Sequence, residues 1–477
     1  MQSSSTAPVV EPLRFYRAVW RWHFYAGLFV LPFIAWLALT GAVYLYQKPI
    51  DRWVHAGLKV VEPTGTAAML PSANIAAVQA ATAGDVFRYT MPERADGSVE
   101  IGVIEKDGRR QVYYVDPGTS RVLGHLPEKG TFSGVVRRLH SLDLLGRYAS
   151  ALIEIAAGWA ILLVVTGVYL WWPRGQKGGV ITVRGRPGQR LFWRDLHAVT
   201  GVWVGLVLLF LAVTGMQWSV VWGNQVNAWA NGHDYGYPSG VRVDVPMSHQ
   251  RLADTTTPTW SMQQAQLPLS ARAPAQHAAP SNHEGHEGHE GHGGSMRGDL
   301  APQAGAIGID AAVQIFACLG LAPGYSISLP RGAMGVYTAS VYPETLDQQR
   351  VVHLDQYSGK VLLDMTYADY GLLGRSLEWG INVHLGQEYG TANRLFLLAA
   401  CVAIFVLCAS GAVMWWKRRP QGGLGVPPLP RQGRSVAVVF ALLCIGGLLF
   451  PLVGATLLLV GVLDALATRG WRTSPAR

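Results

Sequence analysis

Four stretches of this 477-residue chain, 24–46, 150–172, 198–222 and 395–416, are largely apolar and are bounded at both ends by turn or charge signals. A helix needs about 20 such residues to cross the hydrocarbon core of a bilayer. The four runs are therefore expected to be membrane-spanning helices, TM1 to TM4. Composition agrees, since 50% of residues are hydrophobic and only 14% are charged, a balance an ordinary soluble domain rarely shows. A fifth run, 436–463, is interrupted by Gly446, Gly447, Pro451 and Gly454. It fits either one tilted C-terminal helix or a helical hairpin.

The formal charge of +9 does not point to nucleic acid, because the basic residues collect in short segments beside the apolar runs. Arg14, Arg17 and Arg21 lie in the N-terminal segment 1–23. Arg174, Lys177, Arg184, Arg186, Arg190 and Arg194 lie in the loop 173–197, and Lys417, Arg418, Arg419, Arg431 and Arg434 in 417–435. The positive-inside rule places these segments in the cytoplasm and the long segments 47–149 and 223–394 outside. Arg469 and Arg472 in the tail 464–477 favour a hairpin that returns inside. The first run is longer than a signal-peptide core and reads as an uncleaved helix. The expected location is a bacterial cytoplasmic (inner) membrane, multi-pass, with the N-terminus in the cytoplasm. Cys401, Cys408 and Cys444 fall in apolar runs and Cys318 falls alone in an external helix, so the cysteines give no disulfide framework.

The chain also repeats itself. RWHFYAGLFV opens the first run, which reaches Thr40-Gly41; DLHAVTGVWVGLV opens the third, which reaches Thr214-Gly215. His23 to Gly41 and His197 to Gly215 have the same separation. His140, Gly146, Gly167 and Trp171-Trp172 match His384, Gly390, Gly411 and Trp415-Trp416 at identical spacing. Both Trp pairs precede basic residues, as in an interfacial aromatic belt. The external segments repeat as well. SANIAAVQAATAG and IDAAVQIFACLG read as helices, followed by strand-like alternation in DVFRYTMPE, GSVEIGVIE and RQVYYVD, and in YSISLP, GVYTASVYP and QQRVVHLD. Each segment is expected to be a small α+β domain. The halves are expected to be related by an axis along the membrane normal.

The runs RWHFYAGLFVLPFIAWLALTGAVYLY and LHSLDLLGRYASALIEIAAGWAILLVVTGVYLWWPR, with the external YVDPGTSRVLG units, resemble the PepSY-associated transmembrane proteins. That family includes iron-regulated inner-membrane proteins and ferric-siderophore reductases. The resemblance spans about 14–419. It implies an α-helical membrane protein with small α+β extracytoplasmic domains. The architecture is a duplicated helix–PepSY-like domain–helix unit forming a four-helix core, plus the C-terminal helix or hairpin. For members of the reductase type it implies bound haem and a periplasmic reducing site.

The expected topology puts His23 and His197 at the cytoplasmic starts of the first and third helices, and His140 and His384 at the external starts of the second and fourth. Each pair is related by the repeat. Two neutral imidazoles on one haem iron leave no position open, which suits electron transfer. The expected cofactors are thus two b-type haems with bis-His ligation, one near each leaflet. Gly41 and Gly215 lie five turns from His23 and His197 on the same helix face. There they either admit the edge of a macrocycle or serve close helix packing. Arg21, Arg147, Arg194 and Arg394 are candidate partners for haem propionates. Glu154 reads as an acid satisfied by a hydrogen bond near the interface.

The second external segment carries a histidine-rich loop, 277–294, in which His283, His286, His289 and His292 alternate with Glu284, Glu287 and Glu290. Imidazole plus carboxylate suits weak, exchangeable binding of a transition metal; the low-complexity composition equally suits a solvated linker. No Rossmann, Walker, serine-elbow or HExxH pattern is present, so a cytoplasmic or quinol donor has to supply electrons. The expected activity is ferric-chelate reduction, with a ferric siderophore or other Fe(III) chelate as periplasmic partner and no nucleic acid. The competing expectations are a haem-free binding or regulatory protein and a metal transporter that scavenges with the histidine-rich loop.

Overall fold

A computed structural model describes residues 11–63, 67–174, 178–233, 235–236, 245–256, 258–271, 303–420, 441, 443–459 and 462. Lys177, Arg431, Arg434, Arg469, Arg472 and the whole histidine-rich loop lie outside the described residues. In chain order the helices and strands begin with α1 (Glu11–Tyr44), α2 (Gln47–Val54), α3 (Ala56–Lys59), α4 (Pro71–Ala81), β1 (Asp85–Thr90), β2 (Val99–Ile104), β3 (Arg110–Val115) and β4 (Val122–Pro127). They continue with α5 (Phe132–His140), α6 (Arg147–Trp171), α7 (Arg190–Gly215), α8 (Trp222–Gly232), β5 (Met247–Arg251), α9 (Leu252–Thr255) and β6 (Gln266–Pro268). The remainder are α10 (Gly308–Cys318), β7 (Ser326–Ser328), β8 (Val336–Val341), β9 (Arg350–Asp355), β10 (Val361–Thr366), α11 (Leu372–His384) and α12 (Gly390–Arg418).

The chain divides into two compact units. The helical unit comprises 1–46, 136–226 and 383–477. In it α1, α6, α7 and α12 are long and apolar enough to cross a membrane. Each of α1 and α7 packs on both α6 and α12, so α1 and α7 occupy one diagonal of the bundle and α6 and α12 the other. Only 17–28% of each apolar window is buried within the protein. Side chains such as Phe29, Val165, Trp203, Leu206, Val402 and Phe405 point outward, an arrangement that water would penalise and lipid accepts. The C-terminal run turns back at Phe450-Pro451, since a Cβ on Gly447 would meet the Gly454 Cα at 2.7 Å. Its two helical arms, 443–449 and 451–459, dock on α6. Val453 and Phe450 sit against Gly158, and Trp159 Nε1 donates to Thr456 Oγ1 at 3.1 Å.

The second unit comprises 47–135 and 227–382. Two antiparallel meanders, β1 to β4 and β7 to β10, join through β1 and β7 into one eight-stranded sheet of order β10-β9-β8-β7-β1-β2-β3-β4. The sequence led us to expect a small α+β domain from each long segment between apolar runs; in the structure the strands of both segments share one sheet. Arg88, Tyr89 and Thr90 pair with Ser328, Ile327 and Ser326, which removes the edge that each meander would otherwise expose. Helices α4 and α10 pack together on one face over Val78, Ile101, Phe316, Ile327, Ala339 and Leu354. On the opposite face Leu252, Met262 and Leu267 cover Val351 and Met365.

Candidate functional site

The four histidines singled out by the repeat all belong to the helical unit. His23 lies on α1 and His197 on α7, as expected. His140 and His384 are not on the membrane-spanning helices; they are the last residues of α5 and α11, short helices that precede α6 and α12. The chain reverses between each short helix and the long one that follows. Gly146, the N-cap of α6, has φ +98°, and Gly390, the first residue of α12, has φ +56°, values that cost a side-chain-bearing residue free energy. This explains the repeated glycine six residues after each of these histidines. Trp36 Nε1 donates to the Leu139 carbonyl at 2.8 Å, and Asn393 Nδ2 to the Val383 carbonyl at 2.9 Å. Each corner is thereby tied to a long helix at the residue just before its histidine.

His23 and His197, on diagonal helices, lie within electrostatic reach of each other, and so do His140 and His384. The bundle thus brings together the two expected pairs. Burial holds the imidazoles of His140 and His384 well below the usual histidine range, so they are neutral, the form that binds metal.

Each ring is seated by a neighbouring helix. A Cβ added to Gly167 would lie 3.3 Å from His23 Cε1, one on Gly41 3.5 Å from His140 Cε1, one on Gly411 3.3 Å from His197 Cε1, and one on Gly215 3.6 Å from His384 Cε1. Gly41 and Gly215 thus lie in contact distance of an imidazole from another segment. The residue before each glycine carries a hydroxyl: Thr166, Thr40, Ser410 and Thr214. Thr166 Oγ1 lies 2.9 Å from His23 Nδ1, Thr40 Oγ1 2.8 Å from His140 Nδ1, and Thr214 Oγ1 2.8 Å from His384 Nδ1. His197 differs, with Nδ1 3.1 Å from the Leu407 carbonyl.

The carbonyl contact fixes the His197 tautomer, and placing each threonine hydrogen on a helix carbonyl assigns the other three. The three threonine hydroxyls donate their hydrogen to the carbonyls of Leu162, Trp36 and Phe210 at 2.8, 2.8 and 2.7 Å, so their oxygens accept from the imidazoles. A carbonyl can only accept. All four rings therefore carry hydrogen on Nδ1 and leave a lone pair on Nε2, and among the described residues none hydrogen-bonds to any of the four Nε2 atoms. Unpartnered Nε2 lone pairs on facing neutral imidazoles are what an iron with its equatorial positions already filled requires. As a donor set, two imidazoles at each site fit the ligation of a haem iron. No group of three or more His, Cys, Asp or Glu side chains gathers for a metal ion among the described residues, and His283, His286, His289 and His292 lie outside them.

Sequence reasoning had no role for Thr166 and treated Thr40 and Thr214 only as landmarks of the repeat. A hydroxyl residue before every repeated glycine was the available signal. Of the four candidate propionate partners, Arg194 is committed to the buried Asp195, Nη2 to Oδ1 at 2.7 Å, as is Arg184 Nε, to Oδ2 at 2.7 Å. Arg394 Nε donates to the Gly386 carbonyl at 3.3 Å, Arg21 donates to Tyr25 Oη at 3.2 Å, and Arg147 is exposed. Buried Glu154 accepts from the backbone N–H groups of Val221 and Trp222 at 2.9 and 3.0 Å, which satisfies the start of α8. All four cysteines are free thiols.

Comparison with curated proteins finds no match. The model of the PepSY-associated TM region matches residues 20–418, which takes in all four long apolar helices, all four histidines and the sheet unit, and the chain belongs to that family of membrane proteins.

Proposed function

We propose that the protein is a haem-carrying oxidoreductase of the bacterial cytoplasmic membrane that passes electrons to ferric siderophores or other Fe(III) chelates in the periplasm. One observation carries the reading: four imidazoles form two pairs in the helical unit, with every Nδ1 engaged and, among the described residues, no partner on any Nε2. A b-type haem held by each pair would supply a one-electron carrier. His23 and His197 would hold one, near the basic and aromatic end of the bundle, and His140 and His384 the other. The equal spacings in the two halves support reading the chain as a duplicated helix–PepSY-like domain–helix unit. On that reading the N-terminus is cytoplasmic, and the His23/His197 pair faces the cytoplasmic or quinol donor.

Delivery of one electron to the chelate converts Fe(III) to Fe(II). Hard oxygen ligands hold the less charged ion more weakly, which releases it. The test is a reduced-minus-oxidised spectrum of the purified protein, then stopped-flow mixing of the reduced form with a ferric siderophore. Two low-spin b-type haems that reoxidise with the chelate are expected, with one lost in His23→Ala or His384→Ala. A protein that purifies without haem would overturn the reading.

A further inference from the structure

The hydroxyl partners of the imidazoles follow a pattern that their iron-facing pairing does not share. Helix α1 supplies His23 towards one end and Thr40 towards the other, while α5 and α6 supply His140 and Thr166. The two segments exchange contacts: Thr166 engages His23, and Thr40 engages His140. In the same way Thr214 of α7 engages His384, and α12 engages His197 through the Leu407 carbonyl. The imidazoles within electrostatic reach of each other come instead from different halves of the chain, His23 with His197 and His140 with His384.

We propose that Thr40, Thr166 and Thr214 are positioning residues that set the donor strength of three of the four axial imidazoles. By this assignment Thr40 and Thr214 act together on one haem centre and Thr166 acts on the other; the proposal rests on the haem reading above. Each threonine hydrogen is committed to the backbone carbonyl four residues earlier. The oxygen therefore offers only lone pairs to Nδ1–H. Drawing on that hydrogen moves electron density towards Nε2, which favours the more oxidised iron and lowers its reduction potential. His197 stands apart, because the Leu407 carbonyl that accepts from it also accepts from the Ser410 hydroxyl, at 2.9 Å. The His23/His197 centre thus has one hydroxyl-tuned ligand and the His140/His384 centre has two.

The experiment is a spectroelectrochemical titration of the full-length protein in detergent, wild type against Thr40→Val, Thr214→Val and Thr166→Val. Valine keeps the shape and removes the acceptor. We expect Thr40→Val and Thr214→Val to raise the same one of the two midpoints, and Thr166→Val to raise only the other. Each shift should be on the order of a threefold to tenfold change in the redox equilibrium, tenfold being 59 mV for one electron. Serine at each position keeps the hydroxyl and should restore the wild-type midpoint, which separates loss of the hydrogen bond from damage to the fold. Two haems whose midpoints ignore the threonines, or Thr40→Val and Thr214→Val moving different midpoints, would overturn this assignment and leave the haem reading standing. Wild-type protein without haem would overturn both.

Discussion

At the scale of single residues, a glycine lies against each of the four imidazoles, and two of the four contacts are tight. A methyl group at Gly167 or Gly411 would press on an imidazole at 3.3 Å, whereas one at Gly41 or Gly215 would make ordinary contact at 3.5 or 3.6 Å. Substitution should therefore be graded. Gly41→Ala is expected to keep both haem spectra, and Gly167→Leu or Gly411→Leu to displace His23 or His197 and remove one low-spin signal, read by absorbance of the purified variants. Retention of both signals in the leucine variants would show that the rings have room to move and that the cradle is not needed. The histidines themselves were legible in the sequence because they recur at fixed spacing on polar borders of apolar runs. Their hydroxyl partners were not, because Thr166 reaches His23 across 143 residues, a separation on which periodicity carries no information.

At the scale of elements, long helices and strands were legible because each is written in local alternation. The pairing of β1 with β7 was not, since it joins residues more than 230 positions apart, such as Thr90 and Ser326. Strand β4 is hard to read locally because VLGHLP lacks a clear period. Its residues take up the strand by pairing with β3, from Gln111 with Pro127 to Val115 with Val122. Glu154 shows how one side chain fixes an element. Its carboxylate accepts from two backbone groups at the start of α8, so Glu154→Ala leaves both without that partner, at a cost of about 1–3 kcal/mol. Thermal unfolding in detergent should register that loss, and a smaller one for Glu154→Gln, which retains one acceptor oxygen. Helix α11 carries a different constraint. Burial raises the Glu378 carboxyl from 4.5 to about 7, against the Ser261 N–H and the hydroxyls of Ser261 and Thr259, with Tyr342 as its ionisable neighbour. A raised folded-state value means that the folded form holds the proton more tightly. The associated stability is complete below 4.5 and is lost as pH rises through about 7, at about 1.4 kcal/mol per pH unit within that window. Glu378→Gln is expected to flatten the dependence of melting temperature on pH between those values. An unchanged slope would assign the pH dependence to other groups.

At the scale of the whole molecule, the bundle places its two histidine pairs towards opposite ends, and among the described residues its cation–ring contacts gather at one of them. Arg418 lies 4.3 Å from the ring centre of Trp20, Arg174 4.7 Å from that of Tyr169, and Arg419 3.5 Å from that of Trp416. Trp20 is three residues before His23, and Tyr169 is two after Gly167, which seats that histidine. This belt therefore marks the His23/His197 end, which on the proposed reading faces the cytoplasm. A helix advances about 1.5 Å per residue, so the 17 positions from His23 to Thr40, the partner of His140, span about 26 Å. That is most of a hydrocarbon core of about 30 Å. The two pairs thus stand at the two ends of this span, one towards each face of the core. Vesicles containing the purified protein, with an impermeant reductant inside and a ferric chelate outside, should therefore reduce the chelate in the wild type. Neither His197→Ala nor His140→Ala should do so, because each breaks one half of the path. Placing the reductant outside should still reduce the intact His140/His384 centre of His197→Ala but not that pair in His140→Ala, which separates a broken path from a collapsed protein. Transbilayer reduction by His197→Ala at the wild-type rate would mean that electrons do not pass through the belt-side pair.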